Sequence, residues 1–121
     1  MVQTKTLYER IGGKQALTTV VDEFYRRVLG DPLLVEQFAN TDMQRQRRHQ
    51  TAFLAMALGG PSDYAGKNMR DAHTGRNITE AQFGAVAGHL QATLQWAGVG
   101  QQELADIMAA AASLHDDVVG V

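Results

Sequence analysis

Apolar residues recur along most of this chain at the spacing of an α-helix, and that period limits the folds open to it. Ala16, Leu17, Val20, Val21, Phe24, Tyr25, Val28 and Leu29 come in adjacent pairs every four residues. Pairs at that interval lay a broad apolar stripe along one side of a helix. Gly30 is expected to end this helix as a left-handed cap, and Asp31-Pro32 to restart a helix, with Asp31 as cap, Pro32 at the first helical position, and Leu33, Leu34 and Phe38 in a short segment after it. Capping boxes predict three further starts: Thr6 with Glu9, Thr41 with Gln44, and Thr79 with Gln82. The first of these helices runs to Gly12-Gly13 and the second to Gly59-Gly60-Pro61. The third carries Phe83, Val86, Ala87, Leu90, Leu94 and Ala97 inward and closes at Gly98. A last helix covers Gln101 to Leu114, with Leu104, Ile107, Met108 and Ala111 inward. No alternating run bounded by hairpin turns is found, so the class is all-α.

Length and charge narrow the functions. The 121 residues suit one domain over 1–121, with 1–5 expected to be flexible. Net charge is −2, so neither nucleic acid nor an anionic membrane is an expected partner. The polar start Met1-Val2-Gln3-Thr4-Lys5 lacks a secretory signal, and a cytoplasmic location is expected. Cysteine is absent, which excludes disulfides, thiol nucleophiles, zinc–thiolate sites and iron–sulfur clusters.

Three features break the apolar pattern. On the helix from Thr41 to Leu58 the apolar face is marked by Met43, Phe53, Leu54, Ala57 and Leu58. Gln46 and Gln50 continue the line of Phe53 and Ala57, and His49 lies at its edge. An unpaired buried amide costs about 1–3 kcal/mol, so both glutamines need partners. Tyr25, on the inward side of the first long helix, also needs one for its hydroxyl. Either these groups converge on a small polar spot in an apolar pocket, or they satisfy one another or reach the surface. The third feature is His73, four residues after Met69. On spacing alone a lone histidine is more often a satisfied or exposed residue than a metal ligand. A porphyrin, however, needs only one strong axial protein ligand. The basic run Arg45-Gln46-Arg47-Arg48 lacks interleaved aromatics and is expected to be a solvated face.

In chain order these markers are Leu7-Tyr8 with Ile11-Gly12-Gly13, Val21-Asp22-Glu23-Phe24-Tyr25, Phe38-Ala39-Asn40-Thr41-Asp42-Met43, Gln50 with Ala52-Phe53-Leu54, Leu58-Gly59-Gly60 with Tyr64, and Met69-Arg70-Asp71-Ala72-His73. The ordered set resembles the group I truncated haemoglobins from about Thr6 to Val118. The resemblance implies a shortened globin fold, a two-over-two helical sandwich around haem b (iron protoporphyrin IX). It implies His73 as the proximal iron ligand, and Tyr25, Gln46 and Gln50 as distal residues that hydrogen-bond a diatomic ligand. Phe38, Phe53, Leu54 and Met69 are then expected against the haem faces. Arg45, Lys67 and Arg70 are the candidates, by charge, for its propionates. His49 stands where some relatives supply a sixth iron ligand. His115 falls near a C-terminal histidine that some relatives bond covalently to haem. Leu54 takes a position where some members place a gating phenylalanine on an apolar tunnel, lined here by Val28, Ala57, Val86 and Leu90.

The ligands so implied are oxygen, nitric oxide and carbon monoxide, and the best catalytic expectation is nitric oxide dioxygenation with a separate reductase. The alternatives are a six-coordinate His49/His73 protein for electron transfer or ligand sensing, and a helical interaction module without cofactor.

Overall fold

The structure is a computed structural model, described here for residues 6–60 and 75–120. Residues 1–5, expected to be flexible, lie outside the described residues, as do Tyr64, Lys67, Met69, Arg70 and His73.

The elements are all helical: α1 (Leu7–Arg10), α2 (Gly13–Leu29), a 3₁₀ turn (Val35–Phe38), α3 (Met43–Ala57), α4 (Glu80–Trp96), α5 (Gln101–Ala112) and α6 (His115–Val118). No strand occurs among the described residues. Nor is any helix there long and apolar enough to cross a membrane.

The paired stripe of α2 organises the packing. Leu17 and Val20 join Ala55, Leu58, Leu94 and Ile107 in one apolar cluster. Val21, Phe24, Tyr25 and Val28 join Leu34 in a second. Leu54 and Leu90 pack against both clusters, so the two are continuous. Full burial of each such side chain contributes about 1.5–3 kcal/mol, which exceeds what capping supplies. In consequence α2 packs on α3 and α4, and α4 packs on α5.

Of the three expected capping boxes one is complete, and at a second the expected residue caps the helix without the reciprocal bond. Thr6 Oγ1 accepts from the Glu9 amide at 3.2 Å. Thr79 and Gln82 form a full capping box, with both hydrogen bonds at 3.0 Å. At α3 the cap is Asp42, not Thr41. Its carboxylate accepts from the amides of Gln44 and Arg45 at 3.1 and 3.3 Å. The Thr41 amide is already spent on Phe38 O, closing the preceding turn, so the chain enters the helix one residue later. A carboxylate there also meets the positive end of the helix dipole.

Other expectations are corrected. Gly30 has φ −84° and is not a left-handed cap. The Asp31 amide donates to Val28 O and the Asp31 carboxylate accepts from the Leu33 amide, so the chain turns without a left-handed residue, and no helix starts at Pro32: the 3₁₀ turn begins only at Val35. The last long helix stops at Ala112, not Leu114. Ala57 and Ala97 are exposed, and Ala55 is buried instead. On α3 the core line is Leu54, Ala55 and Leu58, while Gln46, Gln50 and Phe53 form a half-buried line beside it.

Two glycine pairs make the bends. Gly12 and Gly13 take φ +111° and +75° between α1 and α2, a region costly to other residues. Gly60 is required by contact: a Cβ there would run into the Tyr8 ring. The Tyr8 amide donates to Leu58 O at 3.0 Å, fixing α1 against the end of α3.

Candidate functional site

Tyr25 is 3% exposed, between the Phe24 ring at 5.0 Å and the Phe38 ring at 5.8 Å, both edge-on. Gln46 reaches it from α3, and its Nε2 donates to the Tyr25 hydroxyl oxygen at 3.0 Å. The phenol proton is not consumed by that bond, so it stays available to another acceptor. Burial pushes the Tyr25 phenol up, and the Gln46 hydrogen bond and the Arg47 charge pull it back. The hydroxyl therefore remains a neutral donor at ordinary pH.

Gln50 is half-buried one turn beyond Gln46, and its amide has no hydrogen bond among the described residues. The surrounding wall is apolar. Val28, Leu34, Phe38, Met43, Leu54 and Val86 belong to the same cluster as Tyr25. Of the expected tunnel lining, Val28, Val86 and Leu90 fall together in this cluster, while Ala57 is at the surface. Phe53 is half-buried; Arg45 and His49 are exposed on α3.

Two further histidines, His89 and His115, are engaged elsewhere. His115 Nε2 lies 2.7 Å from a Glu80 oxygen, and its Nδ1 lies 2.9 Å from Asp116. Its ring meets Phe83 edge-on at 5.2 Å. His89 is half-buried, with Nε2 2.8 Å from Asp31 Oδ2. The turn after α2 folds Asp31 back onto α4, a meeting no local period reveals. Arg47 was grouped with a solvated basic run, yet it points back toward α2 and lies 3.9 Å from Asp22. The available signal was its place next to Gln46, on a helix whose glutamines turn inward.

Comparison with known proteins decides what this pocket belongs to. The family model described as bacterial-like globin matches residues 6–119. A group 1 truncated haemoglobin of Mycolicibacterium paratuberculosis is 45% identical, over 93% of this chain and 83% of its own. The chain belongs to the group 1 truncated haemoglobins. Truncated haemoglobin from Tetrahymena pyriformis, in a crystal structure of its Fe(III) form, superposes with a TM-score of 0.93 at 39% identity, over 97% of this chain and 100% of that one. A 2/2 hemoglobin from a Synechococcus species, crystallised in the cyanomet state with covalently attached heme, gives a TM-score of 0.90 at 34% identity, over 97% and 100%.

This truncated haemoglobin therefore has the globin fold, and its cofactor is haem. Globins of this kind bind diatomic gases such as oxygen. The described residues around Tyr25 fit that group. A flat apolar macrocycle needs an apolar wall, and a small polar ligand on its iron needs a few aimed donors. The Tyr25 cluster has the character of such a wall, and the Tyr25 hydroxyl and the Gln50 amide are polar groups beside it with donor capacity unused among the described residues.

Proposed function

We propose that this truncated haemoglobin holds its diatomic ligand tightly and uses oxygen to turn nitric oxide into nitrate. Haem supplies an iron atom that takes a gas molecule on one face. His73, outside the described residues, is the proximal ligand in this reading. Tyr25 is the main distal donor. Gln46 orients its hydroxyl, and Gln50 adds a second donor. Phe38, Phe53, Leu54 and Met69 form the apolar contacts, and Arg45, Lys67 and Arg70 meet the propionates.

The observation that carries the reading is the direction of one hydrogen bond. Gln46 donates to Tyr25, which leaves the tyrosine proton for another acceptor, and none is found among the described residues. A bond of this kind to a ligand that gains negative charge contributes about 1.5–3 kcal/mol. Slow release favours reaction over delivery. Nitric oxide, oxygen and one electron combine to nitrate, so each turnover also requires a reductase.

The test is stopped-flow mixing of the oxygenated protein with nitric oxide. Rapid nitrate formation is expected, and its absence removes the dioxygenase assignment while leaving oxygen binding intact. The optical spectrum of the unliganded ferrous protein separates the competing six-coordinate reading. A five-coordinate form is expected; a low-spin form lost in His49→Ala would establish His49 as a ligand. The Soret band should vanish in His73→Ala.

A further inference from the structure

Arg47 follows Gln46 on α3, and its side chain is only 34% exposed. Its Nε is buried and has no hydrogen-bond partner. Its guanidinium lies toward Asp22 at 3.9 Å, too long for a hydrogen bond but close for an ion pair. Asp22 precedes Tyr25 by three residues on α2, so the two share a side of that helix. The cation is thus tethered across the α2–α3 contact beside the buried phenol, and its charge is felt there. A surface arginine placed for solubility would extend its head into water.

We propose that Arg47 is a positioning residue of the ligand pocket: held by Asp22, its positive charge polarises the Tyr25 O–H and strengthens the hydrogen bond that Tyr25 gives to a bound ligand. A cation near a phenol draws negative charge onto its oxygen, so the hydrogen becomes a better donor. Asp22 offsets part of that charge, and the pair sets the donor strength between two limits. The inference rests on Tyr25 being the distal donor.

The charge account has a signature that a merely structural tie between α2 and α3 lacks. Arg47→Gln removes the cation, whereas Asp22→Asn removes its counter-charge, so the two variants must act in opposite directions. A structural tie would be loosened by both and move every readout the same way. The readouts are the carbon monoxide stretching frequency of the ferrous carbonmonoxy protein, which reports the local field, and the oxygen dissociation rate. Arg47→Gln should raise the frequency and speed dissociation roughly 1.5- to 5-fold, the range of a part-exposed charge interaction. Asp22→Asn should lower the frequency and slow dissociation by a similar factor. Arg47→Lys, which keeps the charge, should restore much of the parent frequency. In a Tyr25→Phe background none of the three should shift either readout. Shifts of one sign in both variants, or none in either, overturn the proposal even where Tyr25→Phe alone speeds dissociation. If Tyr25→Phe leaves dissociation unchanged, Tyr25 is not the donor and the proposed function fails with the inference.

Discussion

Replacing Tyr25 with phenylalanine isolates one hydroxyl. The ring stays between Phe24 and Phe38, so packing is conserved. Two things are lost: the proton offered to the ligand and the acceptor for Gln46 Nε2. The first loss is worth about 1.5–3 kcal/mol, or roughly 10- to 150-fold faster oxygen dissociation. The second is small, because Gln46 is half-buried and can recover a hydrogen bond from water. Removing a desolvated hydroxyl also offsets part of it, so stability should change by less than about 1 kcal/mol. Function and stability thus separate in one variant. Gln46→Leu extends the test. If Gln46 acts by orienting Tyr25, its effect on dissociation should nearly vanish in the Tyr25→Phe background, a coupling of about 0.5–3 kcal/mol. The assay is stopped-flow displacement of oxygen by carbon monoxide on the two single variants and the double, with thermal unfolding in parallel. A change of less than about twofold in Tyr25→Phe, or fully additive effects in the double variant, would refute the reasoning.

Three further outcomes are expected from the scaffold. Asp42→Ala should lower stability by about 1 kcal/mol in urea unfolding, while Thr41→Ala stays within about 0.5 kcal/mol, because the carboxylate caps α3 and the threonine does not. Gly60→Ala should cost about 1–3 kcal/mol in thermal unfolding through collision with Tyr8, and Tyr8→Ala should recover part of that loss. The His115 imidazole is raised above 6.5 by Asp116 and then by Glu80. The sign follows: its contribution is complete below the unfolded value and fades as pH rises through the raised folded value. Hydrogen exchange should therefore show α6 and the Gly120 amide, which donates to Ile78 O, best protected at mildly acidic pH. Glu80→Gln should shrink that pH dependence.

The helical period showed which residues share a side of a helix, and on α2 that was enough. Leu17, Val20, Val21, Phe24 and Val28 are all buried, and Tyr25 with them. On α3 the same period left an ambiguity. Gln46, Gln50, Phe53 and Ala57 lie on one line and Leu54, Ala55 and Leu58 on the next, and only packing tells core from pocket edge. The two amides were the clue, because a core line would have had to pay for burying them, whereas a half-buried line needs one partner and an open side. The choice between Thr41 and Asp42 turned on where the preceding turn closed, through Thr41 N to Phe38 O. The settings of His89 and Arg47 escape the helical period for a shared reason. Each has a carboxylate partner on a different element, Asp31 58 positions away in one case and Asp22 on α2 in the other. Spacing along one helix carries no record of what another helix presents to it. Charged and titratable side chains are thus the least legible part of such a sequence. In the proposed reading they are also what tunes the donor that the apolar pattern of α2 brings inside. The tyrosine and the apolar residues beside it on α2 follow from the period of that helix, whereas the partner of its hydroxyl, Gln46, comes from α3.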